Sequence, residues 1–302
     1  MTTTYPRDLI GYGANPPDPR WPNDARLAVQ FVINFEEGGE RSILHGDRTS
    51  EAFLTEEPTR ELPNIRNLNV ESQYEYGSRA GFWRLHRAFT ERNIPVTVFG
   101  IAQALDRHPD AVAAMHEANW EIASHGLRWI NYAEMSEDAE RDHITQAIEL
   151  HEKATGSRPT GWYTGRMSPQ TRRLITEAGG FRYDSDSFAD DLPYWEKIGD
   201  EPRLVIPYTL DNNDGRYLNG FGFQSESFST YLTHAFDLLR AEGAAAPKMM
   251  SIGLHTRIVG KPGRAADLMR FLDTVAASDD IWLTRRIDIA EHWHQHHPST
   301  YQ

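Results

Sequence analysis

Short apolar runs alternate along the chain with longer amphipathic stretches, the pattern of strands crossing over through helices into a parallel sheet. The runs predict strands at Leu27 to Phe35, Val96 to Ile101, Glu121 to Ser124, Gly161 to Tyr163, Phe181 to Asp184, Leu204 to Pro207, Met249 to Leu254 and Ile281 to Thr284. Between them, 3.6-residue periodicity predicts helices at Ser78 to Arg92, Pro109 to Ala118, Ser136 to Thr155, Pro169 to Ala178, Phe228 to Glu242 and Ala265 to Ser278. Ser136, with Glu137 and Asp138 in the first turn, is an N-cap, and Gly179-Gly180 a stop. The class is α/β. Two stretches lack periodicity: the first 25 residues, with Pro16-Pro17 and Pro22, and the polar segment from Glu36 to Glu75. Both are expected to drape over the surface, lining a site or a subunit contact. No linker or internal repeat divides the 302 residues, so one domain is expected over 1–302.

Composition narrows the functions open to such a fold. With 44 acidic against 31 basic residues the net charge is -13, which removes the attraction to phosphates on which nucleic-acid and anionic-membrane binding rest. Cysteine is absent, which strikes out thiolate nucleophiles, disulfides, Fe–S clusters and cysteine-held zinc. The first residues lack the basic and apolar regions of a signal peptide, and no run approaches the ~18 apolar residues of a membrane span. A soluble, cytoplasmic protein with a small-molecule substrate is expected.

In parallel α/β folds ligands bind where strands end at their carboxyl termini, and five predicted strands here run into polar clusters. These are Asn34-Phe35-Glu36-Glu37-Gly38-Gly39-Glu40, Ser124-His125-Gly126-Leu127-Arg128-Trp129, Tyr163-Thr164-Gly165-Arg166, Asp211-Asn212-Asn213-Asp214 and Leu254-His255-Thr256-Arg257. Each alone also fits a solvated loop, a turn cap or a structural histidine. Their placement at successive strand ends favours one shared pocket.

In this order the clusters resemble the five motifs of the polysaccharide deacetylase (NodB homology) superfamily. The resemblance implies a deformed (β/α) barrel, TIM-barrel-like, from about Leu27 to Trp293. Its Thr-Phe-Asp-Asp motif corresponds to Asn34-Phe35-Glu36-Glu37, and its His-Ser/Thr-x-x-His to His125 with Trp129 at the second histidine. Its motif arginine corresponds to Arg166, its Asp-x-x-Asp to Asp211 and Asp214, and its Leu-His to Leu254-His255. The family's metal positions therefore read Glu37, His125 and Trp129. An indole nitrogen donates only, and two remaining ligands fall short of the three a catalytic zinc takes. No metal and no other cofactor is expected, unless a loop residue such as His45 or Asp186 supplies a third ligand.

Longer stretches, among them Tyr5 to Gly13, Tyr74 to Gly81, Gly161 to Arg166 and Asp190 to Trp195, resemble the metal-independent allantoinases of the PuuE type. That resemblance implies hydrolysis of the cyclic amide of allantoin to allantoate in purine breakdown, by a homotetramer. It makes Glu36 the general base, Arg166 the cation pairing with it, His255 the general acid and Asp214 the group orienting that histidine. Glu37 and His125 would line the substrate site, with Trp129, Tyr194 and Trp195 as walls, Asn213 and Arg257 as readers of the ureido group, and Arg128 or the Gly38-Gly39 amides as oxyanion donors. Competing readings are a cyclic imide or other hydantoin hydrolase on the same scaffold, a metal-dependent N-acetyl-sugar deacetylase, and a non-catalytic binding protein that keeps the barrel. The tract Glu291 to His297 resembles a metal tract in composition only and reads as a solvated helix end.

Overall fold

In a computed structural model, residue 5 and residues 7–57, 63–218 and 227–301 are described. Residues 1–4 and 6 of the N-terminal stretch and 58–62 of the long polar segment lie outside them. The strands are β1 (Leu27–Phe35), β2 (Val96–Gly100), β3 (Glu121–Ser124), β4 (Gly161–Trp162), β5 (Tyr183–Asp184), β6 (Tyr194–Ile198), β7 (Glu201–Val205), β8 (Lys248–His255) and β9 (Ile281–Leu283). They form one sheet in the order β6-β7-β5-β4-β3-β2-β1-β8, with β9 on the start of β1. Every pairing is parallel except β6 with β7. The sheet curls into the half-barrel of a deformed (β/α) barrel. The helices are α1 (Leu68–Tyr76), α2 (Phe82–Thr90), α3 (Ala102–Arg107), α4 (Pro109–Glu117), α5 (Glu137–Thr155), α6 (Thr171–Ala178), α7 (Ser227–Glu242), α8 (Pro262–Ala276) and α9 (Arg286–His296).

Alternation along β1 sets the two layers. Leu27, Val29, Phe31, Ile33 and Phe35 join the core formed with α1, α2, α4, α7 and α8. Ala28 and Val32 face inward, where they meet Phe99, Tyr163, Tyr183, Ile206 and Tyr208, with Ile289 and Trp293 of α9. Both faces of the strand are covered, as parallel sheets require. Each large apolar side chain so buried contributes roughly 1.5–3 kcal/mol. The interior also holds Arg286, which is 0% exposed. It donates to Gln30 Oε1 at 2.6 Å, to Ser251 Oγ at 2.9 Å, to Ser185 Oγ at 2.9 Å and to the Pro207 carbonyl at 3.0 Å.

Several elements depart from the sequence reading, among them α3, which it did not predict. The helical stretch predicted from Ser78 begins ten residues earlier, at α1, where Asn67 Oδ1 accepts from the amides of Asn69 and Val70 at 3.1 and 3.2 Å. A π-helical turn at Gly77–Gly81 joins α1 to α2. The strand predicted at Leu204 is the second arm of a hairpin, whose first arm is the half-exposed β6. Finally, α9 is no solvated end. His292 and His297 reach the Pro19 carbonyl at 2.8 and 3.2 Å, and His294 reaches that of Arg182 at 3.0 Å.

Candidate active site

The inward face of β1 continues past its end. Asn34 and Glu36 therefore point into the mouth of the barrel, while Glu37 turns outward to the helical layer. There Glu37 accepts from Thr256 Oγ1 and, at 3.1 Å, from the amide of Glu36. Burial pushes its carboxyl above the ordinary range, against the pull of Arg257 at 3.8 Å.

Glu36 is 1% exposed and stands at the centre of three cations or potential cations. Its Oε2 lies 2.7 Å from Arg257 Nη1, and its Oε1 lies 3.3 Å from His125 Nε2 and 3.7 Å from His255 Nε2. Burial alone would raise its pKa, but Arg257, His255 and His125 together hold it well below the usual carboxylate range. Among the described residues neither Glu36 oxygen has an aligned hydrogen-bond donor, which leaves lone pairs open to a water. Arg257 in turn lies over the Tyr74 ring at 4.3 Å. Burial works against its charge, and Tyr74, Glu36 and Glu37 outweigh it.

The two histidines are fixed from behind. Asp214 accepts from His255 Nδ1 at 2.6 Å and from the backbone amides of His255 and Val259 at 2.7 and 3.1 Å. That carboxylate orients the ring and leaves Nε2 facing the cavity. His125 Nδ1 lies 3.0 Å from the Tyr163 carbonyl, which has no proton to give, so Nδ1 donates and Nε2 faces Glu36. The carboxylate, the histidine and its aspartate thus form one line from cavity to interior.

Several predicted site residues stand elsewhere. Arg166 does not meet Glu36: its Nη1 lies 3.3 Å from Glu51 Oε2 and its guanidinium stacks on Trp129. Arg257 holds the position expected of it. Arg128 is spent outside the cavity on Asp47 and the Glu40 carbonyl. The Gly38 and Gly39 amides are taken by Glu40 Oε2 at 2.6 Å and the Glu36 carbonyl at 2.8 Å. Tyr194 and Trp195 belong to β6, where Tyr194 meets Ser187 and Trp195 Nε1 donates to the His297 carbonyl. They are no walls of this cavity. Asn213 does line it, with its amide nitrogen on the Thr209 carbonyl at 3.3 Å.

The metal positions do not fit a metal. Glu37 faces away from His125, Trp129 offers a ring face to two guanidiniums, and Arg257 already neutralises Glu36. His45 bonds the Glu40 carbonyl, and Asp186 accepts from the amides of Thr164 and Gly165, so neither completes a ligand set. Among the described residues no three His, Asp or Glu side chains gather to hold an ion.

What remains is a cavity of about 340 Å³ with Glu36, His125 and His255 at its floor and Tyr163, Tyr208 and Trp129 on its sides. Phe53 and Leu54, from the long polar segment, form its lip. The sequence reading missed them, along with Glu51, and gave no role to Tyr74 and Thr256, which stood in the stretches it singled out. The apolar pair Phe53-Leu54 inside a polar stretch was the available signal.

A family model described as polysaccharide deacetylase matches residues 69–183. A Schizosaccharomyces pombe (strain 972 / ATCC 24843) protein that carries a polysaccharide deacetylase name is 42% identical over 313 residues, covering 97% of this chain and 98% of its own. The crystal structure of PuuE allantoinase is 55% identical, with a TM-score of 0.97 over 99% of this chain and 100% of that one. A structure from Pseudomonas aeruginosa PAO1, also bearing a polysaccharide deacetylase name, is 55% identical with a TM-score of 0.96, over 98% and 100%.

Proposed function

We propose a substrate from one premise: the chain belongs to the polysaccharide deacetylase family, a family of hydrolases. The reading is that it opens the hydantoin ring of allantoin by hydrolysis to give allantoate. The observation that carries it is a buried, ionised Glu36 beside an Asp214-oriented His255 at the floor of a cavity sized for a small ring, in a chain 55% identical to PuuE allantoinase.

The chemistry follows from that arrangement. Water gives a proton to Glu36 as its oxygen adds to the ring carbonyl carbon. The tetrahedral oxyanion then collapses, the carbon–nitrogen bond breaks, and the leaving nitrogen takes the Nε2 proton of a protonated His255. Asp214 stabilises that imidazolium. The proton on Glu36 passes to His255 across the 3.7 Å between them, which resets both groups. The product is a carboxylic acid and a free ureido N–H, so atoms balance. No step calls for a metal.

The test is a screen of the purified protein against allantoin, hydantoin, succinimide and an N-acetyl chitooligosaccharide, each with and without prior dialysis against EDTA. Turnover of allantoin that survives chelation is expected. Turnover of the chitooligosaccharide alone, or activity restored only by added zinc or manganese, would overturn the reading.

A further inference from the structure

Arg166 is mounted more elaborately than a salt bridge requires. Its guanidinium carbon lies 3.8 Å from the Trp129 ring centroid and 5.3 Å from that of Phe53, and those rings are 6.1 Å from each other, so a flat cation packs on the Trp129 face with Phe53 at its side. One nitrogen, Nη1, meets Glu51 Oε2 at 3.3 Å. The other Glu51 oxygen accepts from the amides of Ala52 and Phe53 at 3.0 and 2.9 Å, so that carboxylate is fixed before it meets the arginine. The other terminal nitrogen, Nη2, is buried and has no partner among the described residues, in a side chain that walls the cavity holding Glu36 and His255. A buried guanidinium N–H without an acceptor is a desolvated charge awaiting one.

Of the neighbouring donors, Arg257 is drawn to Glu36 at 2.7 Å, and three more are committed elsewhere. Asn34 Nδ2 bonds Tyr208 Oη at 2.9 Å and the Leu254 carbonyl at 3.1 Å. The Gly165 amide serves Asp186, and Arg216 bonds Asp211 at 2.9 Å.

We propose that Arg166 Nη2 donates to the carbonyl oxygen of the amide under attack, and that Glu51 is the positioning residue that aims it. The inference rests on the cyclic-amide reading above. As the water oxygen bonds to the carbonyl carbon, the carbonyl π pair moves onto the oxygen, and the negative charge forms opposite Nη2. When the carbon–nitrogen bond breaks the pair returns, and Arg166 has neither gained nor lost a proton. A charge-assisted bond that strengthens only as charge develops acts on kcat rather than on ground-state binding. The substrates it suits are neutral, planar cyclic amides and ureides.

Arg166→Ala is expected to lower kcat by ~10²–10³ with KM within about threefold of wild type. Millimolar guanidinium should restore part of the loss in the alanine variant. Arg166→Lys should stay impaired, because an ammonium has no plane to stack on Trp129. Glu51→Gln keeps an oxygen for the Ala52 and Phe53 amides and should lower kcat roughly 10-fold at unchanged KM and melting temperature. If the alanine variant fails to melt cooperatively, Arg166→Gln replaces it, with the same loss in kcat expected. Near wild-type kcat, a loss confined to KM, or a folded alanine variant that guanidinium does not rescue would overturn the proposal. Each variant is assayed on allantoin and hydantoin. A wild-type protein active on hydantoin alone overturns the allantoin reading and leaves Arg166 to be judged on hydantoin, whereas one active on neither overturns both.

Discussion

Glu36 is buried yet ionised, and its use as a base depends on a charge that Arg257 and two histidines sustain. Glu36→Gln keeps the shape and removes the charge, so kcat should fall by ~10²–10⁴ while the circular dichroism spectrum stays native. His255→Ala should be comparably impaired, and Asp214→Asn less so, because an amide still accepts from Nδ1. Near wild-type turnover in the first two would sink the assigned roles. Four residues on, Glu40 behaves oppositely. It is 8% exposed, and burial, with Glu37 adding, pushes its pKa up to about 7 from 4.5. A raised carboxyl pKa means that the fold prefers the protonated form. Its contribution is complete below about pH 4.5 and is lost as pH rises through about 7, at most roughly 3 kcal/mol. Glu40→Gln cannot ionise and still accepts from the Gly38 amide. Its melting temperature relative to wild type should therefore be higher at pH 8 than at pH 5, and a difference constant across that range would contradict the account.

The π-helical turn between α1 and α2 is the element that brings the helical layer against the catalytic strand ends, and it does so through glycine. A Cβ on Gly81 would lie 2.0 Å from the Thr256 carbonyl oxygen, and one on Gly77 2.4 Å from Glu37 Oε1. Gly81→Ala must therefore displace the backbone next to His255. A loss of about 1–3 kcal/mol by calorimetry is expected, with kcat falling more than KM rises; an alanine variant as stable and active as wild type would show that the contact is not tight. This turn also marks where the sequence stopped being legible. The ends of β1 and β8 could be read because buried strands are continuous apolar runs, and Glu36 and His255 follow them directly. By contrast, α1 carries no apolar stripe, and β6 is a short arm with Glu196-Lys197 in a half-exposed hairpin, so neither gave a period. The exchange of Arg257 for Arg166 was illegible for another reason. Which guanidinium meets Glu36 is decided by Trp129, Tyr74 and Glu51, and the last comes from a segment with no periodicity at all.

For the whole molecule, we propose the homotetramer expected from the sequence, on the ground that the N-terminal stretch carries Leu9 and Ile10 at 70% and 83% exposure. Light scattering should give about four times 34.5 kDa, and a mass near 34.5 kDa at micromolar concentration would refute it. No helix among the described residues is long and apolar enough to cross a membrane. The buried Arg286 has a consequence of another kind, for how the chain is made. Its acceptor Gln30 is 256 residues upstream, and Ser185, Pro207 and Ser251 are spread between. While the polypeptide is still being synthesised, those oxygens enclose a hollow with no cation to fill it, so β1 waits while the 256 residues from Gln30 to Arg286 are added. Ribosome-stalled chains ending at Leu283 should be digested by protease, and chains released with α9 should resist it. Equal resistance in both would mean that the interior closes without its arginine.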